Sequence, residues 1–146
     1  MRGPKVFRGY WRDRGATTTA FAGGWFHTGD IGVRDDAGYL YIVDRLKDMI
    51  VSGGENIASS EIERVLYEHD AVLEAAVVGR PDKRWGEVPV AYVARRPGTD
   101  VTPDALIAHC QAQLARFKVP KEVTFVEALP RNPSGKVLKR ELRADR

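Results

Sequence analysis

Three charged side chains on short polar or glycine-bearing segments stand out for the chemistry they could do. Asp30 follows a Thr28-Gly29 turn, Arg45 lies in Asp44-Arg45-Leu46-Lys47-Asp48 fourteen residues further on, and Lys136 closes Pro133-Ser134-Gly135-Lys136 near the C-terminus. Both oxygens of a carboxylate accept hydrogen bonds, so an aspartate at a tight turn can bridge the two hydroxyls of a ribose. An arginine can donate to phosphate or ribose, and a lysine carried on a glycine-containing loop can reach an anion as it develops. Such a set suits a nucleotide monophosphate. Each piece has a plainer use: Thr-Gly-Asp is a common turn in which Asp caps backbone amides, and a single lysine is usually solvated. The order and spacing of the pieces give them weight.

Longer motifs surround these residues. Gly24-Trp25-Phe26-His27-Thr28-Gly29-Asp30, Gly38-Tyr39-Leu40-Tyr41-Ile42-Val43-Asp44-Arg45-Leu46-Lys47-Asp48, Leu114-Ala115-Arg116-Phe117-Lys118-Val119-Pro120 and Pro130-Arg131-Asn132-Pro133-Ser134-Gly135-Lys136 occur in that order. Together they resemble the acyl-adenylate-forming superfamily of acyl-CoA synthetases, luciferases and peptide-synthetase adenylation domains, and the resemblance covers nearly the whole chain. Ser52-Gly53-Gly54-Glu55-Asn56-Ile57 is most similar to acyl-CoA and aryl-CoA ligases, with bacterial fatty-acyl-CoA ligases the nearest subgroup.

The resemblance implies roles. Asp30 and Arg45 would contact the ribose of ATP or AMP, Lys47 would be the hinge between two domains, and Lys136 would stabilise charge while a carboxylate attacks the α-phosphorus. Ser52, Gly53, Gly54, Glu55 and Asn56 would line the tunnel for the pantetheine arm of CoA, paired glycines letting the backbone approach a thin ligand. Relatives often carry an aromatic-Pro pair where Ala58-Ser59 stand here. Trp85-Gly86-Glu87 also matches and reads as structural. The implied activity is that of an acid-thiol ligase, with a small carboxylate, ATP and CoA as substrates and Mg²⁺ to neutralise the triphosphate.

The phosphate loop and acyl pocket of such enzymes lie upstream of every motif present. The expectation is therefore a C-terminal part of a fatty-acyl-CoA synthetase-like enzyme, inactive alone, whose partner is the missing N-terminal domain. An aryl-CoA ligase fragment and a non-catalytic docking module are the alternatives.

Composition narrows the classes further. The 146 residues are 43% hydrophobic and 29% charged, as in an ordinary globular domain. No apolar run approaches the roughly 18 residues of a membrane-spanning helix, and the basic start, with Arg2, Lys5 and Arg8, lacks the apolar stretch of a signal peptide, which leaves a cytoplasmic location. Cys110 is the only cysteine, so an internal disulfide and a cysteine zinc site are excluded, and His27, His69 and His109 are too dispersed to suggest a metal site. The net charge of +3 is uneven: residues from Arg116 onward carry nine Lys/Arg against four Asp/Glu. That stretch lacks interleaved aromatic residues, which favours phosphate-bearing small ligands over nucleic acid. Lys136 does not belong to a Walker A loop, because Val137 occupies the Ser/Thr position.

The elements that must carry these residues are legible in part. Phe7 to Arg34, rich in Gly, Thr and aromatics, suits short strands and loops without helical period. Asp35-Asp36-Ala37-Gly38 signals a turn before a strand over Tyr39 to Val43, and Asp48 to Val51 is extended. Ser60-Glu61-Ile62-Glu63 has the form of a capping box, followed by Ile62, Val65, Leu66 and His69 at helical spacing. Val72 to Val78 and Val88 to Ala94 are strands joined by a turn at Gly79-Arg80-Pro81-Asp82. Thr102 caps a second helix with Pro103 at its first position, burying Leu106, Ile107, Cys110 and Leu114. Glu122 to Val126 is a strand, and Leu138 and Leu142 mark a terminal helix. The fold class is α+β: a small domain over 45–146 with a mixed or antiparallel sheet covered by helices. A β-rich remnant of a large domain over 1–44 precedes it, with the hinge near 45–47.

Overall fold

The computed structural model describes residues 1–144, so the last two residues of the expected 45–146 segment lie outside the described residues. The chain divides into two compact units, Met1–Lys47 and a second that begins at Asp48.

The first unit holds α1 (Arg14–Ala20), β1 (Asp30–Arg34) and β2 (Leu40–Arg45). A helix at α1 corrects the reading of Phe7 to Arg34 as strands and loops. It forms through local bonds: the Asp13 carboxylate accepts the Ala16 N–H at 2.8 Å, and the Thr17 and Thr18 hydroxyls donate to the carbonyls of Asp13 and Arg14. The Asp13 cap offsets the poor helix propensity of three threonines. Strands β1 and β2 pair antiparallel, Arg34 opposite Leu40, across the expected turn in which Gly38 has φ +90°. Phe7 meets Tyr10, Phe21 and Phe26 edge-on at centroid distances of 5.2, 5.4 and 5.0 Å. None of the unit's residues is fully buried, and Val33, Tyr39, Leu40, Tyr41 and Ile42 are exposed.

In the second unit the elements are β3 (Ile50–Ser52), β4 (Glu55–Ile57), α2 (Ser59–Tyr67), β5 (Val72–Asp82), β6 (Gly86–Arg95), α3 (Pro103–Gln113), β7 (Glu122–Phe125) and α4 (Lys139–Ala144). Their sheet runs β4-β3-β6-β5, antiparallel throughout, and β7 adds to β6 in parallel. This is the mixed sheet the sequence predicts. Ala75 to Val78 and Val88 to Ala94 are buried without alternation, as befits strands covered on both faces. One face packs Val77, Ala91, Val93 and Val123 against Ile62, Val65 and Leu66 of α2 and Leu106 and Cys110 of α3. The other packs Ala76, Val78, Val90 and Tyr92 against Leu129 and against Leu142 of α4, and the Tyr92 hydroxyl donates to the Leu142 carbonyl at 3.0 Å.

Helix α3 starts as predicted, the Thr102 hydroxyl accepting the Ala105 N–H at 3.2 Å ahead of Pro103. Two other expectations are corrected. The turn between β5 and β6 is not at Gly79–Asp82, which belong to β5; it lies at Lys83–Trp85, where the Asp82 carboxylate accepts the N–H groups of Arg84 and Trp85 at 2.8 and 2.9 Å. Pro81 is tolerated in the strand because β5 is at the edge of the sheet. Helix α2 also begins before Ser60, the N-cap that a capping box over Ser60–Glu63 implies. Ala58 is the N-cap of α2 and contributes no side-chain bond. Ser59 and Glu63 turn instead to tertiary partners: the Lys139 ammonium donates to Ser59 Oγ and pairs with Glu63, both at 2.7 Å, while Glu63 accepts the Val77 N–H at 2.8 Å. His69 lies beyond the end of the helix, its ring 5.2 Å from that of His109.

Leu66, wholly buried between α2 and the sheet, should lose about 2 to 5 kcal/mol on Leu66→Ala, read as a lower urea midpoint at unchanged slope. Burial raises the Cys110 thiol to about 11, so it stays protonated at pH 8; Ellman's reagent should label it slowly in the native chain and at once in denaturant.

Candidate functional site

In the first unit the structure brings Asp30 and Arg45 together. They are register partners in the β1–β2 ladder, and Arg45 Nε lies 2.9 Å from Asp30 Oδ1. The approach to Asp30 is set by Gly29, with φ +72°, whose carbonyl accepts the Leu46 N–H at 2.8 Å, and by Thr28 Oγ1, which accepts the Asp30 N–H at 3.1 Å. A partly exposed carboxylate beside a guanidinium can accept from and donate to a hydroxylated, anionic ligand at one place. Lys47 is exposed, in the 3₁₀ turn Leu46–Asp48 that follows β2, and is the last residue of the unit.

Asp48, where the second unit begins, is buried, and its Oδ1 accepts from Arg143 Nη2 of α4 at 2.9 Å. Ser52 to Asn56 form the β3–β4 hairpin. Its two central residues, Gly53 and Gly54, have φ +60° and +87°, the left-handed pair that a two-residue turn between twisted strands requires. Gly53 is demanded twice over, since a Cβ there would come 2.9 Å from the Trp85 ring. Trp85-Gly86-Glu87 braces this hairpin from β6: the Gly53 N–H donates to the Trp85 carbonyl at 2.8 Å, Gly86 pairs with Ser52, and the Val51 N–H donates to Glu87 at 3.1 Å.

Beside the hairpin is an open groove of about 520 Å³. Ser52, Gly53 and Glu55 line one side of it, and Arg84, Trp85, Arg116, Phe117 and Lys121 complete it. Arg84 stacks over the Trp85 ring at 4.7 Å. The amides of Trp85 and Arg84 hold the Asp82 carboxyl below its ordinary range, so the turn that presents Trp85 is closed by a carboxylate. Two aromatic faces beside three cations can take a planar heterocycle bearing phosphates. In the sequence Trp85 reads as structural and Arg116 and Phe117 lie in a motif without a site role, because only the fold of the sheet collects these segments into one groove.

Lys136 is exposed and lies elsewhere in the unit. Its loop is tight: Gly135 has φ +83°, the Gly135 N–H donates to the Asn132 carbonyl at 2.9 Å, and Asn132 Oδ1 accepts the Lys136 N–H and the Ser134 hydroxyl at 2.8 and 2.9 Å. Arg131, at the start of this loop, pairs with Glu74 of β5. The glycine hairpin and the lysine loop thus sit at opposite edges of one sheet. Among the described residues no group of three His, Cys, Asp or Glu side chains could hold a metal ion, and no helix is long and apolar enough to cross a membrane.

With this geometry in view, the sequence profile of the AMP-binding enzyme C-terminal domain matches residues 61–136. The chain belongs to that family, whose small α+β C-terminal domain its second unit reproduces. It is 50% identical over 143 residues to a 2-succinylbenzoate–CoA ligase of Geobacillus sp. (strain WCH70), covering 98% of this chain and 29% of that protein. With a long-chain-fatty-acid–CoA ligase of Mycobacterium tuberculosis it shares 51% identity over 138 residues, 94% of this chain and 27% of the relative. The o-succinylbenzoate CoA synthetase of Bacillus subtilis, solved with its acyl-adenylate intermediate, superposes with a TM-score of 0.91 at 42% identity, over 99% of this chain and 30% of that one. The chain therefore spans less than a third of the length of the relatives it matches.

Because Gly53 combines a left-handed backbone with contact against an indole, Gly53→Val should destabilise the second unit by about 1 to 3 kcal/mol and shift the Trp85 fluorescence, as followed in urea.

Proposed function

We propose that this chain is the C-terminal part of an ATP-dependent acid:CoA ligase. The complete enzyme joins a carboxylate to ATP, giving acyl-AMP and pyrophosphate, then transfers the acyl group to CoA with release of AMP. The observation that carries this reading is the identity with CoA ligases over 98% of the chain. Residues 1–44 are read as the end of the large N-terminal domain, 45–146 as the mobile domain, and 45–47 as the hinge between them. The exposed Tyr39, Leu40, Tyr41 and Ile42 support a surface that the rest of the large domain covers. On its own the chain does not turn over.

Each residue has a task. Asp30 accepts the ribose hydroxyls of ATP or AMP, and Arg45 orients that carboxylate and donates to the same nucleotide. Lys136 stabilises the charge that grows on the α-phosphate oxygens during attack, without transferring a proton. The Ser52–Asn56 hairpin guides the pantetheine arm, while Trp85 and Phe117 stack on the adenine of CoA and Arg84, Arg116 and Lys121 meet its phosphates. Mg²⁺ accompanies the triphosphate, and its ligands are assigned to the phosphates and the large domain. Lys47 is read as the hinge because it is exposed in a short 3₁₀ turn, where a backbone change can be absorbed.

The acid is read as a fatty acid, which the identity with the mycobacterial ligase supports; the matches to succinylbenzoate ligases favour an aromatic acid as the second reading. The reaction is read as cytoplasmic.

A chimera in which this chain replaces the matching C-terminal part of the Geobacillus ligase tests the assignment. Lys136→Ala should slow formation of the succinylbenzoyl adenylate by at least about a hundredfold. The rate from synthetic acyl-adenylate plus CoA should stay within about twofold, because the lysine and the glycine hairpin serve different steps. Loss of both half-reactions in a folded chimera would reassign Lys136 to a structural role.

A further inference from the structure

Lys136 can act on a phosphate only if its loop is held still relative to the sheet, yet Arg131 and Pro133 through Lys136 are all exposed and offer little packing. The bonds from Asn132 to Gly135, Ser134 and Lys136 fix the shape of the loop, but they are internal to it and cannot fix its position. One end is anchored by Lys139, held by Ser59 and Glu63 of α2. The base of the loop is set by buried Leu129 and by Val137, which packs against the same cluster, with the Leu138 N–H donating to the Pro130 carbonyl at 2.8 Å; its exposed tip is tied to the sheet through one guanidinium. Arg131 donates through Nη1 to the Gly135 carbonyl, next to Lys136, and through Nη2 to Glu74 on β5, 57 residues away.

We infer that Arg131, oriented by Glu74, is a positioning residue for Lys136: one guanidinium ties the peptide before the lysine to the edge strand of the sheet. The inference rests on the role proposed above for Lys136. A planar fork suits the task because its donors diverge toward two acceptors at once, the loop carbonyl and the carboxylate, whereas a lysine offers a point charge on a flexible stem. The pair is partly exposed, at 41% and 27% of the two side chains, so its loss should scarcely alter stability. An exposed ion pair that does little for stability but restrains one backbone peptide should express itself in the rate of the step that peptide serves. Small misplacements of a reacting group cost about ten- to a hundredfold.

The test uses the Geobacillus chimera together with the 146-residue chain. Arg131→Lys and Glu74→Ala are each expected to lower kcat for adenylate formation about ten- to a hundredfold, with the KM for ATP, the thioester half-reaction and the melting temperature nearly unchanged. The double variant should be no slower than the slower single, since both changes break one link. In the chain itself, the Lys136 amide should exchange with solvent faster in both variants. Unchanged adenylation would overturn the inference, as would equal losses in both half-reactions with a lowered melting temperature, or additive losses in the double variant. Lys136→Ala, assayed alongside, separates the two failures. If it leaves adenylation intact, the role of the lysine is wrong and the inference falls with it. If it abolishes adenylation while the Arg131 and Glu74 variants do not impair it, only the inference falls.

Discussion

Strand β6 is the constraint on which the second unit depends. From Gly86 to Arg95 it pairs with β5 on one side, and on the other it takes β3 near Gly86 and β7 from Val90 to Val93. Its residues Val88 to Ala94 are buried, so it cannot slip by one position without turning packed side chains to the opposite layer. That fixed register puts Gly86 opposite Ser52, Trp85 against the glycine hairpin and Glu87 at the Val51 amide, and so sets the groove from the same strand that sets the core.

Much of this layering can be read from the amino acids. The β-branched runs at 72–78 and 88–94, the Thr102-Pro103 start of α3 and the strand read over 122–126 carry signals that are local and strong, and the structure has an element at each, β7 ending one residue earlier at Phe125. The failures have a common cause. Ser60-Glu61-Ile62-Glu63 has the composition of a capping box, yet α2 begins before Ser60, and Glu63 also satisfies the Val77 amide and the Lys139 ammonium, neither of which is visible within a dozen residues. Gly79-Arg80-Pro81-Asp82 looks like a turn because three of its residues are common in turns, yet the edge position of β5 removes the penalty on proline and the Asp82 carboxylate moves the turn onward. Helix α1 escapes notice because it is short and starts from the Asp13 cap rather than from an apolar period.

The candidate site divides along similar lines. Asp30, Arg45, the Gly53-Gly54 hairpin and Lys136 are readable because each lies in a short motif whose residue types already imply a conformation or a charge contact. The groove role of Trp85, Arg116 and Phe117, which the sequence places in motifs without a site, and of Arg84 and Lys121, which it does not mark, is not readable, because their proximity exists only once β3 has joined β6 and the segment after α3 has come up beside the hairpin. The tie between Arg131 and Glu74 spans β5, β6, α3 and β7 in sequence, and periodicity carries no trace of it.

The free side of β5 has a consequence of another kind. A long strand with only one neighbour presents a row of amides and carbonyls that could template a strand from a second molecule. Here the Glu63 carboxylate already occupies the Val77 amide, Pro81 offers no donor, and Glu74 with Arg131 lays a charged loop across the approach. The contacts that hold the lysine loop therefore also guard the sheet against growing beyond its own chain. Loosening that loop would open a path to association between copies as well as altering its position.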